Sequence, residues 1–193
     1  MNYIIKFFVL LVFFTQASFA SDQAVSQFVN DVAHKVIAVV TSKTTSESQK
    51  KSAITTIITT DFDVNWMSRF VLGRNFRALS ASQQQEYEAL YLHYLVGIYF
   101  PILMQYDNDK FVIDHITKSS KTSYDVDTTI QRINKPSVSI RYHINEISEG
   151  QFKTVDMVVE GISTIISQRS EFDSIIQQDG IAGFMQKMKE KYS

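Results

Sequence analysis

The chain contains no cysteine, and that absence removes disulfides, thiolate nucleophiles and thiolate metal ligands together, leaving stability to packing. Charge of one sign is also missing. The 19 basic residues face 20 acidic ones, no run of Lys or Arg stands out, and nucleic acid is excluded as an expected partner. The four histidines, His34, His93, His115 and His143, show no short ligand spacing, so no metal site is expected. The apolar run Phe7–Phe14 falls well short of the roughly 20 residues a membrane-spanning helix needs.

That run instead reads as part of a leader. Lys6 precedes it, and Ser18-Phe19-Ala20 places small residues at −3 and −1 of a cleavage point, the pattern of a secretory signal peptide over residues 1–20. Removing Lys6 leaves 18 basic against 20 acidic residues, a formal charge of −2. Residues 21–193 then have the length of a single domain with one core.

Along this domain the apolar period is helical, then alternating, then helical again, which is an α+β order. Val25, Phe28, Val29, Val32, Val36 and Val39 or Val40 form the stripe of a first helix over Ala24–Val40. A second runs from Ser46 to about Thr60. Asp63 is placed to cap a short helix carrying Trp66, Met67 and Phe70 that ends near Gly73. Ser80 and Gln83 have the spacing of a capping box at the start of a long helix to about Gln105. One face of it carries Tyr87, Leu90, Tyr91, Tyr94, Leu95, Ile98, Ile102 and Tyr106, and Pro101 is expected to kink its last turns.

After the turn Asp107-Asn108-Asp109, four segments alternate as strands do. Phe111, Ile113 and His115 share one face of the first. Tyr124, Val126, Thr128 and Ile130 share one face of the second, and Val138, Ile140, Tyr142 and Ile144 of the third. The fourth covers Phe152–Val159. Turns at Lys135-Pro136 and Glu149-Gly150 predict antiparallel pairing of sequential strands. Beyond Glu160-Gly161, the spacing of Ile162, Ile165, Ile166, Arg169, Phe172, Ile175 and Ile176 predicts a helix closed by Gly180. A terminal helix presents Ile181, Phe184, Met185 and Met188, with Lys187, Lys189 and Lys191 as a solvated, dipole-complementing end.

Val155-Asp156-Met157-Val158-Val159-Glu160-Gly161-Ile162-Ser163, followed by Arg169-Ser170-Glu171-Phe172 and Gly180-Ile181-Ala182-Gly183-Phe184, resembles the carboxy-terminal signature of the MlaC family, the toluene-tolerance auxiliary proteins of an ABC transport system. Phe70-Val71-Leu72-Gly73-Arg74, Leu79-Ser80-x-x-Gln83 and the Tyr87–Tyr106 helix are similar to the family's central block; Pro101 is a local departure. The resemblance implies a periplasmic phospholipid shuttle. It would carry glycerophospholipid between an outer-membrane lipoprotein complex and an inner-membrane ring protein attached to an ABC transporter, preserving outer-membrane asymmetry. The implied fold is a mixed-to-antiparallel four-stranded curved sheet, a nuclear-transport-factor-like cone, wrapped by helices around an apolar cavity. The protein is then a monomer without a cofactor, its phospholipid being cargo.

A two-chain lipid brings more than about twenty methylenes, each contributing roughly 0.8 kcal/mol on leaving water, so a carrier needs apolar walls and little polar recognition. The expected lipid-contacting residues are Phe70 and Leu72 at the mouth and Tyr94, Ile98 and Ile102 along the long helix. Ile140, Tyr142 and Ile144 are expected on the sheet, and Met157, Val159, Ile162 and Ile166 at the sheet–helix junction. Two other classes compete with the carrier. An isomerase or dehydratase on a cone-like sheet would use Asp114, His115, Asp156 or Glu160 as acid or base, although Asp156 and Glu160 are equally placed to cap or pair. A ligand-free adaptor would have a filled core and a large exposed partner patch.

Overall fold

The computed structural model describes residues 16–192, so the apolar part of the expected leader, Phe7–Phe14, lies outside the described residues. The helices are α1 (Gln16–Thr41), α2 (Glu47–Asp61), α3 (Val64–Leu72), α4 (Ala81–Leu103) and α5 (Thr164–Tyr192), with a 3-10 segment at Gly73–Ala78. The strands are β1 (Lys110–Lys118), β2 (Ser123–Gln131), β3 (Val138–Ser148), β4 (Gln151–Val159) and β5 (Ile162–Ser163).

Local chemistry sets most of these boundaries. Ser80 accepts from the Gln83 amide while the Gln83 side chain accepts from the Ser80 amide, and Ser46 and Gln49 repeat the arrangement at α2. Asp63 accepts from the Trp66 amide at 3.0 Å and starts α3. α1 begins upstream of the expected Ala24. α4 runs through Pro101 and ends at Leu103, short of Gln105, leaving Tyr106 in the connection to β1. Within α5, Gly180 has φ 69 and ψ 170, which breaks it into the two expected helical pieces.

The sheet is antiparallel in the order β1-β2-β3-β4-β5. It has five strands where four are expected, because positive φ at Glu160 and Gly161 (49° and 81°) folds the chain back at once. Ile162 therefore pairs with Val159 instead of starting a helix. The one parallel element among the described residues is an isolated bridge from Phe62 to Thr154.

Two bulges alter the expected faces. In β1 the register shifts between Ile113 and His115, so Ile116 pairs with Val126 and His115 with Asp127. The extra residue turns His115 outward and brings Ile116 to the face of Phe111 and Ile113. In β4 the shift falls between Thr154 and Asp156, which puts Thr154 and Met157, three residues apart, on one face.

Two cores result. The helical core is aromatic: Phe172, 1% exposed, meets Tyr94 and Phe184 at centroid distances of 5.0 and 4.8 Å. Each such pair contributes about 0.5–1.5 kcal/mol beyond its buried area. The hydroxyls are partnered, Tyr91 donating to Gln168 Oε1 at 2.6 Å and Tyr87 to the Ser68 carbonyl at 3.0 Å. A smaller core joins Val25 and Val29 of α1 to Tyr124, Val126, Ile144 and Phe152 of the sheet. The terminal lysines lie on the surface, Lys187 pairing with Asp179 and Lys189 with Glu86.

Burial pushes the Tyr87, Tyr91 and Tyr94 hydroxyls above their ordinary value of 10.0, with neighbouring phenols and carboxylates adding to the effect. The unfolded chain thus releases these protons at lower pH than the native state does. The stability they confer is complete below pH 10 and is lost progressively above it. Urea midpoints measured between pH 8 and pH 12 should fall from about pH 10 upward, and Tyr91→Phe should flatten that fall; an unchanged slope would contradict the assignment.

Candidate functional site

Between the two cores the helices and the sheet do not meet, and the space is a cavity of about 500 Å³. One wall is α1, through Val32, Ala33, Val36 and Ile37. A second comes from α2 and α4, through Ile54, Ile57, Leu95 and Tyr99. The third is the concave sheet face, where Phe111, Ile130, Val138, Ile140, Tyr142, Met157 and Val159 project inward by strand alternation.

Its polar groups are few. Gln105, Tyr106, Asp109 and Arg132 line it where α4 gives way to β1 and where β2 ends. The register that pairs Lys110 with Gln131 brings the neighbouring Asp109 and Arg132 alongside one another, and these are the charged residues of the lining. Tyr106 donates its hydroxyl proton to the Asp109 carbonyl at 3.0 Å. Deeper in, burial pushes the Tyr142 hydroxyl up to about 12 and raises that of Tyr99. Both stay neutral at physiological pH. The interior is thus apolar and uncharged, with one rim carrying a cation and an anion.

Of the twelve expected contact residues, Ile102, Ile140, Tyr142, Met157 and Val159 line the cavity. Seven lie elsewhere. Phe70 lines a separate surface recess, where it stacks on Trp66 one helical turn before it. Leu72 is 1% exposed within the helical core. Tyr94 is stacked on Tyr91 and held edge-on by Phe172 and Tyr192, and Ile98 packs on the same core. Ile144 is fully buried against α1, where sheet and helix do touch. Ile162 sits exposed in β5. Ile166 is exposed because α5 buries Ile165, Gln168 and Phe172 instead.

The cavity-facing valines of α1 and the isoleucines of α2 were not among the expected contacts. Their signal was present as an apolar stripe of mostly small side chains, which reads equally as ordinary core. None of the acid–base candidates lines the cavity. Asp114 accepts from Thr129 Oγ1 at 2.6 Å, and His115 is exposed. Asp156 accepts from Ser163 Oγ, Thr164 Oγ1 and the Ile165 amide at 2.6, 3.1 and 3.2 Å, and so caps α5. Glu160 accepts from the Ser139 amide at 2.5 Å. Among the described residues no three metal-ligating side chains gather, and no helix is long and apolar enough to cross a membrane.

The sequence profile of the MlaC family, described as MlaC protein, matches residues 30–190. The chain belongs to the MlaC family. The matched span takes in every wall of the cavity except the first turn of its α1 side, Phe28 and Val29. A solved structure with the same fold is the phospholipid-binding protein from Ralstonia solanacearum in complex with a phospholipid. The two share 17% identity and superpose with a TM-score of 0.74, covering 86% of this chain and 95% of that one. The expected cone of sheet and helices is thus the fold that this MlaC-family chain adopts.

The cavity is testable apart from any natural cargo. Ala33→Trp places an indole into the space between α1 and the sheet without disturbing either core, and overpacking is avoided because the room exists. Delipidated Ala33→Trp protein should keep its thermal midpoint and lose at least about tenfold in affinity for a fluorescent fatty acid, because the cavity is filled. Undiminished binding would place the apolar site elsewhere.

Proposed function

We propose that this protein binds a phospholipid with its acyl chains in the 500 Å³ cavity and its headgroup at the Asp109–Arg132 rim, and carries it between membranes. The observation that carries the reading is the cavity itself, uncharged throughout its depth and bounded at one rim by opposite charges. Apolar cavity volume costs about 24 cal/mol per Å³, so an occupant that fills this space contributes on the order of 10 kcal/mol. Hydrocarbon is the chemistry that does so without needing polar partners. The Ralstonia solanacearum protein, whose structure holds a phospholipid, supports the same occupant here.

This chemistry and the expected leader together support the carrier role. A cavity that holds acyl chains away from water lets a lipid cross an aqueous space, and the signal-peptide pattern of residues 1–20 supports the periplasm as that space. The route runs between an outer-membrane lipoprotein complex and the inner-membrane ring protein of an ABC transporter. Binding is favoured over catalysis because Asp114, His115, Asp156 and Glu160 all lie away from the cavity, three of them committed to hydrogen bonds that hold the fold.

Ile140→Glu puts a carboxylate against the acyl chains, where it is costly to dehydrate. Native mass spectrometry of detergent-free wild-type protein should show a stoichiometric added mass that fragments as phospholipid. Ile140→Glu should fly as the bare chain with a wild-type circular dichroism spectrum. Retained lipid in that variant, or a bare wild-type protein in repeated preparations, would overturn the reading.

A further inference from the structure

A second concavity, of about 460 Å³, opens on the surface where α3, the 3-10 segment and α5 converge, and it shares no lining residue with the lipid cavity. α3 contributes to both, Met67 to the cavity and Trp66 and Phe70 to the recess. Its walls are guanidinium groups and aromatic rings. Trp66, 41% exposed, stacks on Phe70 with centroids 5.1 Å apart and an interplanar angle of 18°. The Arg169 guanidinium lies 5.3 Å over the Phe70 ring, and that of Arg69 lies 5.5 Å over Phe76. Gly73 makes the seat for Arg169: a Cβ there would come within 2.9 Å of Arg169 Nη2.

The charge of this recess is unbalanced. Arg69 pairs with Glu88 at 2.9 Å, and Arg169 spends one N–H on the Phe70 carbonyl at 3.3 Å. Among the described residues, Arg74, Arg77 and Arg169 make no ion pair, and the lining contains no carboxylate. Asp173, at the margin, accepts from Asn75 at 3.4 Å. Arg69 and Arg169 are thus partly engaged, and Arg74 and Arg77 are the arginines of the lining with N–H groups to donate to a carboxylate in two parallel hydrogen bonds.

We infer that this recess is a docking site for an acidic segment of a partner polypeptide, an extended stretch carrying Asp or Glu side chains. Two features favour that occupant over a bilayer surface. All of the recess's cations are arginine, which is enriched at protein–protein interfaces where lysine is depleted. The exposed indole beside the arginines is the pairing on which protein–protein contacts concentrate their energy.

Trp66 is the sole tryptophan of the chain and reports on the site directly. Its emission is to be followed while purified protein is titrated with a hexaglutamate peptide, a hexaglutamine peptide, inorganic phosphate, and phosphatidylcholine vesicles containing phosphatidylglycerol. Hexaglutamate should give a saturable shift that weakens with added salt, and hexaglutamine none. Arg74→Glu and Arg77→Glu, both at exposed positions, should each weaken hexaglutamate binding by about tenfold, as loss of a charged contact does. Lys51→Glu, the same charge change on α2, should leave it intact, and bound phospholipid should be unchanged in all three variants. A shift produced by phosphate or vesicles but not by hexaglutamate would overturn the assignment. So would hexaglutamate binding that Lys51→Glu weakens as much as the arginine variants do, or the absence of any shift.

Discussion

The side chain of Asp156 holds the helical layer to the sheet. It is a carboxylate 5% exposed, and a buried carboxylate is tolerated only when hydrogen bonds replace its lost water. Here the donors are the hydroxyls of Ser163 and Thr164 and the amide of Ile165, the first turn of α5. α5 is thereby started beside β4, from where Phe172 and Phe184 reach the tyrosines of α4. The β4 bulge makes this possible by letting Asp156 turn to α5 while Thr154 and Met157 keep facing the cavity. A few residues away, the Asp63 amide donates to the Thr154 carbonyl at 2.9 Å, so α2 and α3 are tied to the same strand.

A cavity persists because helices and sheet are joined on either side of it and not across it. The helices satisfy one another through the aromatic core, and α1 satisfies the far half of the sheet through Val25 and Val29. α1 is braced in turn by Lys35, whose ammonium lies 3.0 Å from the buried Asp61 carboxylate, and by Lys50, which donates to the Val40 carbonyl at 2.8 Å. Between these fixed points nothing pulls Val32 and Val36 down onto Ile140 and Tyr142. Close packing elsewhere keeps the walls from collapsing inward, and the unfilled space between them is where acyl chains fit.

The elements were legible in the sequence because their signals are local. The Ser80–Gln83 box, the Asp63 cap and the alternation of Val138–Ile144 each depend on residues a few positions apart, whereas the reversal at Glu160-Gly161 that makes β5 reads in the sequence as the start of a helix. The bulges were not legible, since one extra residue in a strand changes no composition, and His115 was assigned to the wrong face of β1 for that reason. Cavity membership was legible only in part. Ile140, Tyr142, Met157 and Val159 follow from strand alternation, but Tyr94, Ile98 and Leu72 have the same apolar character and are packed against other helices. Core and cavity wall differ only in what stands across from them, which the helix and strand periods do not encode.

The most direct test of a lipid-filled space between sheet and helices is photocrosslinking with a phospholipid that carries a diazirine near the end of one acyl chain, followed by peptide mapping of the adducts. The account predicts adducts on the inner faces of α1, α2 and β3, at residues such as Val36, Ile57 and Ile140, and none at the exposed Ile162 and Ile166. Adducts concentrated at those surface isoleucines, with the cavity walls unlabelled, would contradict it.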